Sequence, residues 1–135
     1  MTRQFSAGGI VFNDQGKVLL TQNSSNKHWG FPKGLIDPGQ TSKEAAIREV
    51  KEEGGVEAEI IEKVGDSKFI YTWEGEKIFK VVTLYLMKYL SGDPANHDFE
   101  VSEAAWYTPD DALNILSFSS DKQLLKKALG MRKND

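Results

Sequence analysis

The sequence contains no cysteine, and this absence removes two kinds of chemistry at once. No disulfide framework can hold the fold together, and no thiolate can serve as a nucleophile or metal ligand. Long hydrophobic runs are also missing, because no stretch approaches the roughly 20 apolar residues that a membrane-spanning helix needs. The first residues, MTRQFSAGGIVF, lack the apolar centre of a signal peptide. These absences predict a cytoplasmic protein without a membrane segment.

Positive charge is not in excess, since 17 basic residues stand against 20 acidic ones and the net charge is -3. This balance argues against a broad electrostatic surface for nucleic acid or an anionic membrane, so no extended nucleic-acid partner is expected. A small anionic ligand held by a few local cations or by a metal remains compatible with it. The length of 135 residues and the hydrophobic fraction of 39% predict one globular domain, residues 1–135.

Apolar alternation and turn residues divide the chain into interleaved strands and helices. Strands are predicted at residues 5–13, 17–23, 56–64 and 103–108, with two more around a Glu-Gly turn within 68–90. Helices are predicted at 41–53, from 108 onward, and from 119 or 120 to 129, with 131–135 as a frayed tail and 24–40 as a loop. An α/β fold with helices on both faces of a mixed sheet accounts for this order.

The clearest helix carries its glutamates together. Thr41 and Glu44 form a capping-box pattern at its start, and Gly54-Gly55 marks its end. At about 100° per residue, an apolar stripe faces the core and three carboxylates share a face at the boundary of that core. The stripe comprises Ala46, Ile47 and Val50, and the carboxylates belong to Glu49, Glu52 and Glu53.

Three adjacent carboxylates suit a hard divalent cation, which takes oxygen ligands and removes the repulsion between them. A solvated acidic helix face is the other interpretation, because Glu-x-x-Glu-Glu on a helix is common. The Gly- and Pro-containing segment before the helix and the glycines after it favour the cation site.

A longer motif surrounds these acids: Gly34, five residues, Gln40, seven residues, then Arg48-Glu49-Val50-Lys51-Glu52-Glu53-Gly54-Gly55-Val56. It resembles the signature box of the Nudix hydrolases, with Gln40 in place of the usual Glu. AGGIVF, W-x-x-P-x-G and WYTPDDAL are also similar to that family. The resemblance implies a Nudix-type α/β/α sandwich and hydrolysis of a diphosphate linkage with Mg²⁺ or Mn²⁺.

The resemblance also implies site residues. Glu49, Glu52 and Glu53 would be metal ligands, with Glu52 or Glu53 as the alternative general base. The Gly34 carbonyl would complete the coordination, and Arg48 would hold a glutamate by a charge-assisted hydrogen bond. A further carboxylate from a late loop is expected, and Glu100 and Glu103 are the two candidates. Gln40 either braces the loop, which keeps activity, or replaces a charged ligand, which weakens metal binding.

The substrate is expected to be a small-molecule nucleotide. Pro-Lys-Gly before the box is similar to hydrolases of dinucleoside polyphosphates, such as diadenosine tetraphosphate or hexaphosphate, and of diphosphoinositol polyphosphates. Lys33 would bind a further phosphate, Tyr71 would stack a base, and Lys80 and His28 would contact the substrate. The ordinary alternatives are a solvated loop lysine, a sheet-surface tyrosine, an edge lysine and a locally bonded histidine.

Other functions remain open at this point. A nucleoside triphosphate or another nucleoside diphosphate derivative could be the substrate, and 5′-end diphosphate removal from RNA is weakly disfavoured by the net acidity. A catalytically weak nucleotide sensor is the alternative outside enzymes. A monomer or a homodimer is expected.

Overall fold

The structure, a computed structural model, describes residues 1–132 and is built on a seven-stranded sheet. The strands are β1 (Thr2–Phe12), β2 (Val18–Asn23), β3 (Trp29–Gly30), β4 (Lys33–Leu35), β5 (Val56–Trp73), β6 (Glu76–Gly92) and β7 (Val101–Tyr107). The helices are α1 (Ser42–Gly54), α2 (Pro109–Ile115) and α3 (Ser119–Arg132), and a short 3-10 turn spans Pro94–Asn96.

The sheet is mixed, as predicted. Its strands run in the order β3-β2-β1-β6-β5, with β4 also paired to β1 and β7 to β2. β1 and β6 are parallel along the whole of β1, from the Thr2–Ile78 pair to the Phe12–Lys88 pair. The other pairings are antiparallel. β1 therefore lies at the centre and connects the early hairpin to the later one.

Helices cover both faces of this sheet, because apolar residues of β1 alternate between two cores. Ile10 and Phe12 pack in a cluster that includes Leu125 of α3. Val11 points the other way and packs in a cluster that includes Val50 of α1. The predicted α/β/α sandwich is confirmed.

The first strand of the second hairpin, β5, is longer than predicted. β5 is one continuous strand, whereas a strand ending at residue 64 and another beginning at 68 were expected. Three register irregularities, the last between Lys63 and Gly65, absorb the extra residues and let the strand curve without ending. The Glu-Gly turn is confirmed: Glu74 and Gly75 both have positive φ, which a tight hairpin turn requires.

The segment 24–40 is not wholly a loop, and the prediction was wrong there. β3 pairs with β2, and β4 pairs with β1 through Ala7–Gly34 and Gly8–Lys33. A side chain on Gly8 would overlap the Pro32 carbonyl and Lys33, so glycine permits this close backbone approach. Local sequence did not indicate the pairing, because the partner strand supplies it.

Helix α1 begins and ends as predicted, but a different arc of it is buried. The Thr41 side chain accepts from the Glu44 amide, the Glu44 carboxylate accepts from the Thr41 amide, and Gly55 closes the helix in the left-handed region. Ile47 is 41% exposed, whereas Glu49 is only 7% exposed. The predicted apolar stripe was therefore wrong at Ile47: the helix is rotated so that its glutamate face turns inward.

Helix α3 extends further than predicted. Met131 packs against the core, and the Arg132 guanidinium lies 4.2 Å from the centre of the Phe12 ring, so these residues are helical rather than frayed. Residues 133–135 of the predicted tail lie outside the described residues. No helix among residues 1–132 combines the length and apolarity required to cross a bilayer.

Candidate functional site

A cavity of about 340 Å³ opens where β4, the middle of α1 and the segment before β7 meet. Charged side chains of both signs line it. Its lining includes most of the residues singled out in the sequence: His28, Lys33, Gly34, Glu49, Glu53, Lys80 and Glu100. The sheet pairing of β4 with β1 and of β1 with β6 brings the two lysines together.

Glu49 is the most deeply buried carboxylate of the site. Its Oε1 accepts a hydrogen bond of 2.6 Å from Arg48 Nη1. Burial raises the pKa of Glu49, and the adjacent Arg48 guanidinium opposes that rise. Gly34 lies directly over the Glu49 carboxyl group, with no room for a side chain between them. The Gly34–Glu49 contact therefore fixes β4 against the helix.

Glu53, one turn later, lies at the centre of the acidic group. The Lys33 amide donates to its Oε2 at 3.3 Å. The pKa of Glu53 is raised to about 8, chiefly by burial and also by the neighbouring Glu49 and Glu100 carboxylates, while the amide and the charge of Lys33 act against the rise. The carboxylates of such a buried cluster repel one another unless a cation or bound protons neutralise their charge.

Asp98 joins Glu53 and Glu100 in a cluster whose ligand oxygens all lie within 4.8 Å of one another. The loop that carries Asp98 is tied to α1 by a 2.8 Å hydrogen bond from the Asp98 amide to the Glu52 carbonyl. Sequence reasoning missed Asp98. Its position just before Glu100, on the same late loop, was the available signal.

These residues fit a hard divalent cation. Every ligand atom in the group is an oxygen. The carboxylates converge, and the nearby Lys33 does not offset the rise in the pKa of Glu53. Glu49, Glu53, Asp98 and Glu100, with the Gly34 carbonyl, are the residues that would hold it.

Arg48 connects the loop to the helix. It donates to Glu49, to Glu52 at 3.0 Å and to the Leu35 carbonyl at 3.0 Å. Its Nε and Nη2 also donate to the side-chain oxygen of Gln40 at 3.3 and 3.1 Å. The same Gln40 oxygen accepts from the backbone amide of the loop at residue 37, 3.2 Å away. The Gln40 side chain thus braces the loop.

Two of the predicted carboxylates lie outside the lining of this cavity. Glu52 is on the rim of the helix, about half exposed, with its carboxylate on Arg48. Glu103 is exposed on β7, where it pairs with Gln22 of β2. Of the two late-loop candidates, Glu100 is the one that reaches the acidic group.

A second cavity, of about 520 Å³, adjoins the first and is more apolar. His28, Lys33 and Lys80 line both cavities, and Tyr71 lines the second. The Tyr71 hydroxyl donates to the side chain of Gln4 at 2.9 Å, so its ring is held in place. Burial and the charge of Lys33 lower the pKa of Lys80. Asp121, buried on α3, also lines this cavity and was not anticipated from the sequence.

Comparison with known proteins places this geometry in a family. The family model of the NUDIX domain matches residues 2–128. A bis(5′-nucleosyl)-tetraphosphatase (asymmetrical) of Caenorhabditis elegans is 30% identical over 126 residues, 90% of this chain and 91% of that protein. A MutT4 protein of Mycobacterium tuberculosis is 33% identical over 91% of this chain, but the chain spans only about half (53%) of that protein's length.

Solved structures agree with this assignment. The crystal structure of a C. elegans Ap4A hydrolase binary complex superposes with a TM-score of 0.81 at 29% identity, covering 98% of this chain and 99% of that one. Among the relatives found by sequence, an RNA pyrophosphohydrolase of Erythrobacter litoralis is 29% identical over 82% of this chain and 79% of its own length. The predicted class of Nudix pyrophosphohydrolase is confirmed at the level of the family, whose members generally use a divalent metal. The chain belongs to the Nudix family.

Proposed function

We propose that this chain is a metal-dependent hydrolase that cleaves a diphosphate linkage in nucleoside polyphosphates, and that dinucleoside polyphosphates are its substrate class. Diadenosine tetraphosphate and hexaphosphate are the first members to test. One observation carries the proposal: Lys33 and Lys80 lie between an acidic cavity suited to a divalent cation and an apolar cavity sized for a nucleoside. A phosphate chain that crosses the lysines would join the two ends.

Each group of residues has a separate task in this proposal. When bound, Mg²⁺ or Mn²⁺ would supply Lewis acidity and lower the pKa of water. Glu53, or Glu52 at the rim, would take a proton from the attacking water. Arg48 would position Glu49 and Glu52 through its hydrogen bonds.

The remaining residues would orient the substrate. Lys33 and Lys80 would neutralise phosphate oxygens outside the cation's reach, which favours chains with several phosphates. Tyr71 and His28 line the apolar cavity and would contact the nucleoside. Positioning and charge neutralisation account for most of the rate acceleration in phosphoryl transfer, and this arrangement supplies both.

The names of relatives support the substrate class without agreeing on one compound. The tetraphosphatase of C. elegans covers nearly the same length as this chain. RNA pyrophosphohydrolases and an 8-oxo-dGTP diphosphatase are also similar to this chain. The second candidate function is a nucleoside triphosphate pyrophosphohydrolase, because the second cavity has room for one nucleoside. The sensor alternative is disfavoured by the intact acidic group.

The test is product release from a substrate panel with Mg²⁺, with Mn²⁺ and without metal. The panel contains dinucleoside polyphosphates of increasing length, nucleoside triphosphates, ADP-ribose, a diphosphoinositol polyphosphate and a 5′-triphosphate RNA. We expect metal-dependent cleavage that favours the longer dinucleotides. Preference for triphosphates would support the second candidate, and binding without cleavage of any compound would support the sensor.

A further inference from the structure

Strand β5 forms the outer edge of the sheet, and its two halves differ. The order of the strands ends at β5, so no strand within residues 1–132 pairs with its outer side. Register irregularities interrupt the first half, and the last of them lies between Lys63 and Gly65. From Asp66 to Trp73 the pairing with β6 is regular. The second half of β5 is therefore a regular edge without a bulge.

This second half also lacks the other features that protect an edge. Folded proteins usually prevent an edge strand from pairing with another chain by bulges, prolines or charged side chains. The first half carries bulges and the exposed Glu59 and Glu62. Residues 67–73, Ser-Lys-Phe-Ile-Tyr-Thr-Trp, contain no proline, and their one charged residue is Lys68. The composition favours strand pairing, since β-branched and aromatic residues predominate.

Apolar side chains of the segment are exposed on both faces of the sheet. Ile70 is 64% exposed on one face, and Trp73 is 62% exposed on the other, because side chains alternate along a strand. Tyr71, on the same face as Trp73, is 38% exposed. A further strand laid beside β5 would cover side chains on both faces at once.

The turn determines which backbone groups of β5 point outward. Two residues connect β5 to β6, so Trp73 and Glu76 close the hairpin as a hydrogen-bonded pair. Hydrogen-bonded pairs alternate along an antiparallel ladder. The residues that direct their N–H and C=O groups away from β6 are therefore Lys68, Ile70 and Thr72, and all three are exposed.

We infer that residues 67–73 pair with the same residues of a second copy of this chain, antiparallel and about a two-fold axis through Ile70. In this register Ile70 lies opposite Ile70 of the partner subunit, and Lys68 lies opposite Thr72 of the partner subunit. Every outward N–H and C=O group of these residues then has a partner. A surface that complements itself in this way forms a closed dimer.

The side chains agree with this register. The one charged residue of the segment, Lys68, faces a threonine, so no like charges lie opposite each other. On the other face Phe69 lies opposite Tyr71 of the partner subunit, in the type of pair whose side chains are closest. Phe69 and Tyr71 also line the second cavity. The partner subunit therefore adjoins the cavity proposed to hold the nucleoside.

The contact is short, and this determines the kind of dimer to expect. Stable interfaces bury about 1,600 Å² in total, and one pair of short strands lies at the lower end of the range. The dimer should therefore be reversible, with a population that rises with protein concentration.

Sedimentation velocity of the intact protein over a wide range of concentrations tests the pairing. We expect the mass to rise from that of one chain toward that of two. Ile70→Lys should raise the Kd of the dimer by about 10-fold or more, because it places like charges on the axis. Ile61→Lys is the matched control: Ile61 is 44% exposed on the first half of the same strand, so this variant should associate as the wild type does.

Two further variants test the position of the axis. An equal mixture of Ile70→Lys and Ile70→Glu should dimerise again, because the axis places their opposite charges side by side. The chain has no cysteine, so Ile70→Cys should cross-link two copies under mild oxidation. Residues paired across such a ladder lie about 5.5 Å apart, within the range of a disulfide. Ile61→Cys should remain uncross-linked.

The outcomes do not depend on which substrate the protein cleaves. A wild type that stays monomeric at every concentration would overturn the inference, and so would a dimer that persists in Ile70→Lys. Failure of the charge mixture and of the Ile70→Cys cross-link would exclude an axis at Ile70. Thermal unfolding of each variant checks that loss of association does not follow from loss of the fold.

Discussion

A side chain on Gly34 would occupy the space of the Glu49 carboxyl group. The backbone of β4 at Gly34 therefore packs directly against the buried Glu49 carboxyl group. The position of Glu49 depends on the absence of a side chain at residue 34. The contact joins the loop before α1 to the helix at the point where a cation would be held.

Gly34→Ala should lower kcat by about 10²-fold, since displacing a catalytic group by about 1 Å has that effect. The methyl group must push either β4 or Glu49 out of place. Steady-state kinetics at saturating metal measures the change. Gly130→Ala is the matched control: Gly130 is helical with nothing within 4 Å, so activity should stay unchanged and stability rise slightly. Equal activity of both variants would contradict the packing argument.

Removing one acid of the cluster should weaken metal binding. At about 100 times its Kd, a cation stabilises the wild type by about 2.7 kcal/mol, because it binds only the folded state. Glu53→Gln and Glu100→Gln should lose most of this gain, and kcat should fall by about 10²-fold or more. Unfolding followed with and without Mg²⁺ or Mn²⁺ measures it. Glu103→Gln, on exposed β7, should behave as the wild type; if it loses the gain instead, the late-loop ligand has been misassigned.

Gln40→Glu should change metal affinity little. Its side-chain oxygen accepts from Arg48 and from a loop amide, and glutamate can keep both bonds. Gln40→Leu removes these hydrogen bonds and loosens the loop. We therefore expect kcat to fall, while the Kd for the metal changes less. Metal titration and kinetics on the two variants distinguish these effects. A large gain of metal affinity in Gln40→Glu would indicate that this position belongs to the ion's own ligands.

Lys33→Ala should raise KM more for substrates with more phosphates. Its ammonium group lies between the two cavities, where the outer phosphates of a long chain would pass. Lys126→Ala, on the exposed side of α3, is the control and should leave KM unchanged for every length. KM for tetra-, penta- and hexaphosphates tests the dependence. An equal rise at all lengths would assign Lys33 a different role.

Asp121→Asn should stabilise the protein at neutral pH by about 1 kcal/mol, because burial disfavours the ionised carboxylate and an amide carries no charge. Burial raises the folded-state pKa of Asp121, with Lys33 acting against it. Wild-type stability therefore falls as pH rises from the unfolded pKa through the folded one, and stays lower above both. The advantage of the variant should shrink in acid, below the unfolded pKa. Denaturant unfolding across pH measures it, and an advantage independent of pH would contradict the cause given.

Much of the fold could be predicted because its signals are local. The capping box at Thr41, the glycines that end α1, the turn at Glu74 and the proline that opens α2 each depend on neighbouring residues. The motif around Glu49 identified the family, and the family resemblance in turn predicted the α/β/α sandwich.

The rest depends on distant partners. β4 exists because β1 offers it an edge, and Ile47 is exposed because β4 covers the glutamate face of α1 instead. Asp98 reaches the acidic group through a backbone bond to Glu52, and Asp121 reaches the second cavity through the packing of α3. The place of Asp98 just before Glu100 was its one local signal, and no local pattern distinguishes Asp121 from the other carboxylates of the sequence.

The parallel pairing of β1 with β6 has a consequence for folding kinetics. Thr2 pairs with Ile78, so the central strand cannot join its neighbour until most of the chain is available. Closing such a long loop carries an entropic cost before any contact compensates it, and parallel pairings of this kind form slowly. Strand β4, which carries Gly34, is paired to β1, and Lys80 belongs to β6. On a ribosome, the acidic cavity would therefore be completed only after β6 has emerged, as part of the late consolidation of the sheet.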